Sequence, residues 1–116
     1  MIIVLLAASI ASQPLAADVG YDQLATGHND AAITQLEDRS ANAADPARLI
    51  NLGIAYARTG DAAKARVLFE RAYQARDWVE LETATGSWVD SRTLARQALA
   101  MLDSGQFARM SQIAQR

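Results

Sequence analysis

With 116 residues, 51% of them hydrophobic and 21% charged, the chain has room for one domain around one modest core and lies far from the composition of disordered sequences. A net charge of -2 with no basic stripe excludes a duplex-binding module, so nucleic acid is not an expected partner. The absence of cysteine excludes a disulfide framework, thiol chemistry and a lipid-modified N-terminal cysteine.

The first charged residue is Asp18, and from Ile2 to Ala11 the chain is apolar apart from Ser9. Such a run is shorter than the about 20 residues a helix needs to cross a bilayer, but it suits the apolar middle of a secretory signal. Pro14 interrupts the run, and Leu15-Ala16-Ala17 supplies small residues where a peptidase cuts. Residues 1–17 are therefore expected to be a signal peptide and residues 18–116 the mature domain. The implied location is periplasmic or secreted, with no stable membrane insertion after cleavage.

Tyr21 and Leu24 suggest a short helix, ended by Gly27. His28, the only histidine, falls in the turn that follows, where a solvated side chain is a better reading than a metal ligand because no second histidine accompanies it. Ala32, Ile33 and Leu36 then give the spacing of a second helix.

The clearest punctuation lies between Asp45 and Asp77. Asp45 is placed to cap a helix, Pro46 fits its first position, and Gly60 follows its last turn as a left-handed stop. This predicts a helix from Pro46 to about Thr59. Asp61 caps the next helix after a connection so short that the two must fold back as an antiparallel hairpin. Leu49, Leu52, Gly53 and Tyr56 share one face of the first helix; Ala65, Leu68, Phe69, Ala72 and Tyr73 share one face of the second. Gly53 and Ala65 are the small members of these seams, and the spacing predicts that the helix axes approach closely where they meet.

Leu52-Gly53-Ile54-Ala55-Tyr56 followed by Ala65-Arg66-Val67-Leu68-Phe69 resembles the tetratricopeptide repeat (TPR), a helical hairpin of about 34 residues marked by Leu-Gly-x-x-Tyr and Ala-x-x-x-Phe. Leu49 stands where the family often has Trp, and Asp77 where it often has Pro. The resemblance implies an all-α fold of antiparallel helical hairpins stacked as a short TPR-like array, with Leu49, Leu52, Gly53, Tyr56, Ala65, Phe69 and Ala72 as packing residues. One hairpin cannot bury its own face, so weaker copies are expected on both sides. Upstream, Gly27 and Ala32–Leu36 precede Gly60 and Ala65–Phe69 by 33 residues.

Downstream, Val79, Leu81 and Thr83 alternate with Glu80 and Glu82, Thr85-Gly86 marks a turn, and Ser87-Trp88-Val89 returns. This predicts a small β-hairpin insertion near residues 78–89, leaning on the helices through Trp88 or Trp78. Asp90 or Ser91 caps a further helix in which Leu94, Ala98 and Met101, with Gly105 behind, follow Leu49, Gly53, Tyr56 and Gly60 by 45 residues. A last short helix, Gln106 to Arg116, carries Phe107, Met110 and Ile113.

No serine stands in a nucleophile elbow, no glycines form a phosphate cradle, and Glu80 and Glu82 read as an exposed strand face, so no catalytic residue, metal or cofactor is expected. The resemblance implies a concave surface lined by the first helix of each hairpin. Its candidate peptide-binding residues are Ile50, Ile54, Ala57 and Arg58, then Leu99 beside Ala95, Leu102 and Asp103, with Arg58 or Arg92 placed to hold a carboxylate. The same apolar residues also serve as core if neighbouring elements cover them. The expected function is a non-catalytic protein–protein interaction module or scaffold that binds a peptide or protein segment. The alternative is a structural subunit of an envelope assembly, held by an uncleaved N-terminal anchor.

Overall fold

The computed structural model describes residues 6–9, 21–37 and 43–109. The expected cleavage region at 14–17 and the end of the last helix, with Met110 and Ile113, lie outside the described residues. In chain order the elements are β1 (Ala7–Ser9), α1 (Tyr21–Ala25), α2 (Asn29–Leu36), α3 (Pro46–Arg58), α4 (Ala62–Gln74), β2 (Glu80–Thr83), β3 (Trp88–Asp90) and α5 (Ser91–Asp103). A helical turn at 106–109 follows.

Local chemistry sets the helix ends. The Asp45 side chain accepts from the Ala47 N–H at 3.1 Å, and Pro46 occupies the first helical position of α3. The Asp61 carboxylate accepts from the Lys64 N–H at 3.1 Å and begins α4. Between them Gly60 has φ +94°, a left-handed conformation that side chains with a Cβ rarely adopt. At the far end of α4, Arg92 Nη2 donates to the carbonyls of Ala75 at 3.1 Å and Arg76 at 3.3 Å. It thereby ties the start of α5 to the segment that leaves α4.

Packing follows chain order: α1 lies on α2, α2 on α3, α3 on α4 and α4 on α5, while α5 also reaches back to α3. The fold is predominantly helical, with the helices packed around a shared core. Leu49, Leu52, Ala65, Phe69 and Ala72 are all buried, as the seams require, whereas Tyr56 is half-buried and Tyr73 is exposed. Burial of the Phe69 ring contributes about 1.5–3 kcal/mol. That ring also stacks on Phe107 from the C-terminal turn, with centroids 6.1 Å apart. The nearest atoms facing Gly53 belong to the Phe69 ring, so the small residue on α3 accommodates an aromatic ring rather than meeting Ala65 most closely.

The sheet departs from expectation in three respects. It has three antiparallel strands in the order β1-β2-β3, because residues expected to belong to a leader pair with β2: Ala7 lies opposite Thr83, Ala8 opposite Glu82, and Ser9 opposite Leu81. Four residues, Ala84 to Ser87, separate β2 from β3, and the turn closes around Ala84–Gly86 rather than around the expected Thr85-Gly86 pair. Thr83 N–H donates to Ser87 O at 2.8 Å, Gly86 N–H donates to Thr83 O at 2.9 Å, and Gly86 closes the loop at φ +83°. Finally, the hairpin leans on the helices through Leu81, fully buried, and Thr83, while Trp78 and Trp88 remain 53% and 52% exposed. Leu81 and Thr83 are two apart and so share a sheet face, which leaves Glu80 and Glu82 on the exposed face.

Candidate functional site

The surface expected to hold a partner is largely occupied by the protein itself. Ile50 and Ile54 are 0% exposed and Ala57 4%, so none offers a contact to a ligand. Elements on both sides of it in the chain cover that helix: α1, α2 and β1 pack against α3, and so do α4 and α5. Arg58, one helical turn beyond Ile54, marks how closely this face is covered. Its Nη1 donates to the Leu24 carbonyl at 3.0 Å, with Asn29 Oδ1 at 3.4 Å, and burial draws the guanidinium below its ordinary pKa. Arg58 thus braces the α1–α2 corner, and Arg92 closes α4, rather than either waiting for a carboxylate. Leu99 and Leu102 pack half-buried against the core, Ala95 is fully buried, and Asp103 pairs with Arg66 of α4.

An open groove instead runs along the outer side of α3 and α4, past the end of α2. It encloses about 460 Å³. Leu52 and Leu68 form its floor, and Val67, 57% exposed, stands beside them as an apolar side chain in water. Val67 follows Lys64 by three residues and precedes Arg71 by four, so these three share one face of α4. Arg48 completes a set of three cations around the groove, against the single carboxylate of Glu37.

Most of this rim is held in place. Arg48 Nε donates to the Leu36 carbonyl at 2.8 Å and so ties α3 to the end of α2. Tyr56 Oη donates to Glu37 Oε1 at 2.7 Å, and Lys64 Nζ lies 5.1 Å from the centre of the Tyr56 ring, within cation–π range. The bond to Glu37 favours the protonated phenol, and burial and the charges of Glu37 and Asp61 act in the same direction. The Tyr56 pKa is pushed up to about 12. Tyr56 is therefore a neutral donor throughout the physiological range. Lys64 and Arg71 are exposed, whereas Arg48 is only 8% exposed, so the first two are the cations most accessible to a ligand.

A second hollow of about 550 Å³ lies between α4 and α5, lined by Tyr73, Gln74, Arg92, Thr93 and Arg96. Its lining is more polar, and its Arg92 is bonded to the carbonyls of Ala75 and Arg76 just beyond α4. His28 lies in an exposed turn with Nδ1 2.8 Å from Thr26 Oγ1. Among the described residues no three His, Cys, Asp or Glu side chains converge to hold a metal, and no helix is long and apolar enough to cross a membrane.

The sequence carries a signal for the groove that periodicity alone passes over. Val67 lies outside the apolar seam of α4 yet is flanked on its own face by Lys64 and Arg71. Glu37 joins the site only through tertiary packing, since its partner Tyr56 is 19 residues away. The chain matches no family model, no curated protein and no solved structure in comparisons with known proteins.

Proposed function

We propose that this protein is a non-catalytic interaction module, a short TPR-like array that docks a segment of a protein partner in the periplasm or secreted space. One observation carries the reading: an apolar groove with an exposed Val67 on its rim is bordered by Lys64, Arg71 and Arg48 against Glu37 alone, in a chain whose net charge is -2. A local excess of positive charge beside apolar surface is complementary to an amphipathic, acidic segment. The apolar side chains of that segment cover Leu52, Val67 and Leu68, and its carboxylates meet the accessible cations. The repeat reading is supported by the packing of each helix on the next and by the glycine stops at 27, 60 and 105, all with positive φ.

Photo-crosslinking tests the proposal in the producing cell. A crosslinking residue in place of Val67 is expected to trap a partner through an acidic, apolar segment, and Lys64→Glu with Arg71→Glu is expected to abolish the adduct. A crosslinker in place of Glu70, which is exposed on α4 but outside the groove, is the control. Equal trapping at both positions would remove the groove from consideration.

A further inference from the structure

The middle strand of the sheet is paired on both edges. Thr83 N–H donates to Ser87 O, and Ser91 N–H donates to Val79 O, so the odd-numbered positions of this segment bond toward β3. The alternation of an antiparallel ladder then turns the N–H and C=O of Glu82 toward the opposite edge, where Ala8 stands across from it. Leu6, immediately before β1, is 4% exposed and belongs to the core, and β1 also contacts α3. The edge of β2 and the apolar site of Leu6 therefore form one seat, filled by a short extended segment.

That segment comes from the same apolar run, Ile2 to Ala11, that has the pattern of a removable leader. Cleavage would take both Leu6 and β1 away, leaving the Glu82 backbone unpaired beside an apolar vacancy. An unpaired strand edge of this kind is a template for another strand. We propose that the β2 edge is a strand-accepting site, closed by residues 6–9 in the full chain. In the processed chain it takes an extended segment of a partner protein with an apolar residue at the position of Leu6 followed by small residues. The proposal rests on the reading of the chain as an exported interaction module, but it engages a surface separate from the α4 groove.

A tethered β1 outcompetes a free segment through its effective concentration, so the site opens only when the tether is cut. Every processed copy has lost β1 together with Leu6, so a second copy has no equivalent strand to lend. The occupant is therefore an extended segment of a different protein.

Amide hydrogen exchange on the full chain tests this. Leu6→Asp unseats β1 by placing a charge in the core, and Ala8→Pro does so without adding charge, by removing an N–H from the ladder. Either substitution is expected to accelerate exchange at the Glu82 amide by about tenfold or more, while the Thr83 amide, bonded within the hairpin, stays protected. Millimolar acetyl-Leu-Leu-Ala-Ala-Ser-amide is then expected to slow Glu82 exchange saturably, and a scrambled peptide of the same composition is not. Unchanged Glu82 exchange in both variants overturns the proposal, as does failure of the peptide to restore protection. Joint loss of Glu82 and Thr83 protection in both variants also overturns it, since β1 is then an inseparable part of the fold. An intact mass retaining residues 1–17 in the exported chain likewise overturns it. None of these readouts touches Val67, so failure here is distinguishable from failure of groove docking.

Discussion

A Cβ built on Gly53 would lie 2.5 Å from Cε1 of Phe69 and 2.7 Å from its Cδ1. Phe69 is 0% exposed, so its ring cannot swing into solvent to make room. The glycine is thus fixed by space and not by backbone conformation. Gly53→Leu is expected to destabilise the domain by about 1–3 kcal/mol through overpacking. Gly53→Ala is expected to do so less, because alanine regains about 1 kcal/mol of helix propensity. Thermal unfolding checks both, at about 4–8 °C per kcal/mol for a domain of this size. An undiminished melting temperature for the leucine variant would contradict the contact.

Ile54→Glu and Val67→Glu are expected to separate core from groove. Ile54 is 0% exposed, so a carboxylate there is buried without solvation and the variant is expected to unfold or lose several kcal/mol. Val67 is 57% exposed, so its substitution is expected to change stability by less than about 0.5 kcal/mol while blocking an acidic segment. Circular dichroism melts measure the first effect, and the crosslinking assay measures the second.

Tyr56 is expected to ionise near pH 12, well above the ordinary tyrosine value of 10.0. Its folded pKa is raised, so the associated stabilisation is fully present below pH 10 and is lost as pH rises toward 12. Ultraviolet titration of the protein against Tyr56→Phe isolates this phenol from the other tyrosines. Glu37→Ala removes the hydrogen-bond acceptor that contributes most, and the Glu37 charge with it, so the titration is expected to move back toward the ordinary value. A midpoint that stays in place would show that Glu37 is not the cause.

Asp90 caps α5 twice over: Oδ1 accepts from the Thr93 N–H at 2.9 Å, and Oδ2 from the Thr93 hydroxyl at 2.6 Å. These bonds hold its carboxyl below the usual aspartate range. The stabilisation is present above the unfolded pKa and is lost as pH falls through the depressed folded value. Solvent screening keeps this pH-dependent part small. Asp90→Ala is expected to cost about 1 kcal/mol at neutral pH, and Asp90→Asn is expected to retain most of the cap while flattening the acid limb of the stability profile. Denaturant titrations across acid pH measure both.

The central hairpin is the part of the fold that its residues specify most directly. Asp45-Pro46 and Gly60-Asp61 are local stop and start signals; α3 begins at the first and ends at the second, where α4 begins. The β-hairpin was legible for the same reason, since alternation along Val79–Thr83 requires only neighbouring residues. Periodicity marks which face of a helix is apolar but does not say what covers it. Ile50 and Ile54 therefore read as a groove when the helix is considered alone, and become core once the neighbouring elements, α1, α2, β1 and α5 among them, pack on α3. The seat of Leu6 was invisible because an unbroken apolar run lacks the alternation of a strand. Trp78 and Trp88 misled in the opposite sense: their size suggested anchors, yet the inward face of the sheet belongs to Leu81 and Thr83.

Phe69 touches more than its own hairpin, because its ring lies against Gly53 on one helix and stacks on Phe107 beyond the end of α5. A linear array in which each unit meets only its neighbours can melt piecemeal from its ends. Here a single aromatic side chain is shared between the central pair and the C-terminal turn, so fraying of that turn exposes surface in the middle of the molecule. Thermal denaturation is therefore expected as one concerted transition rather than a succession of independent unravelings.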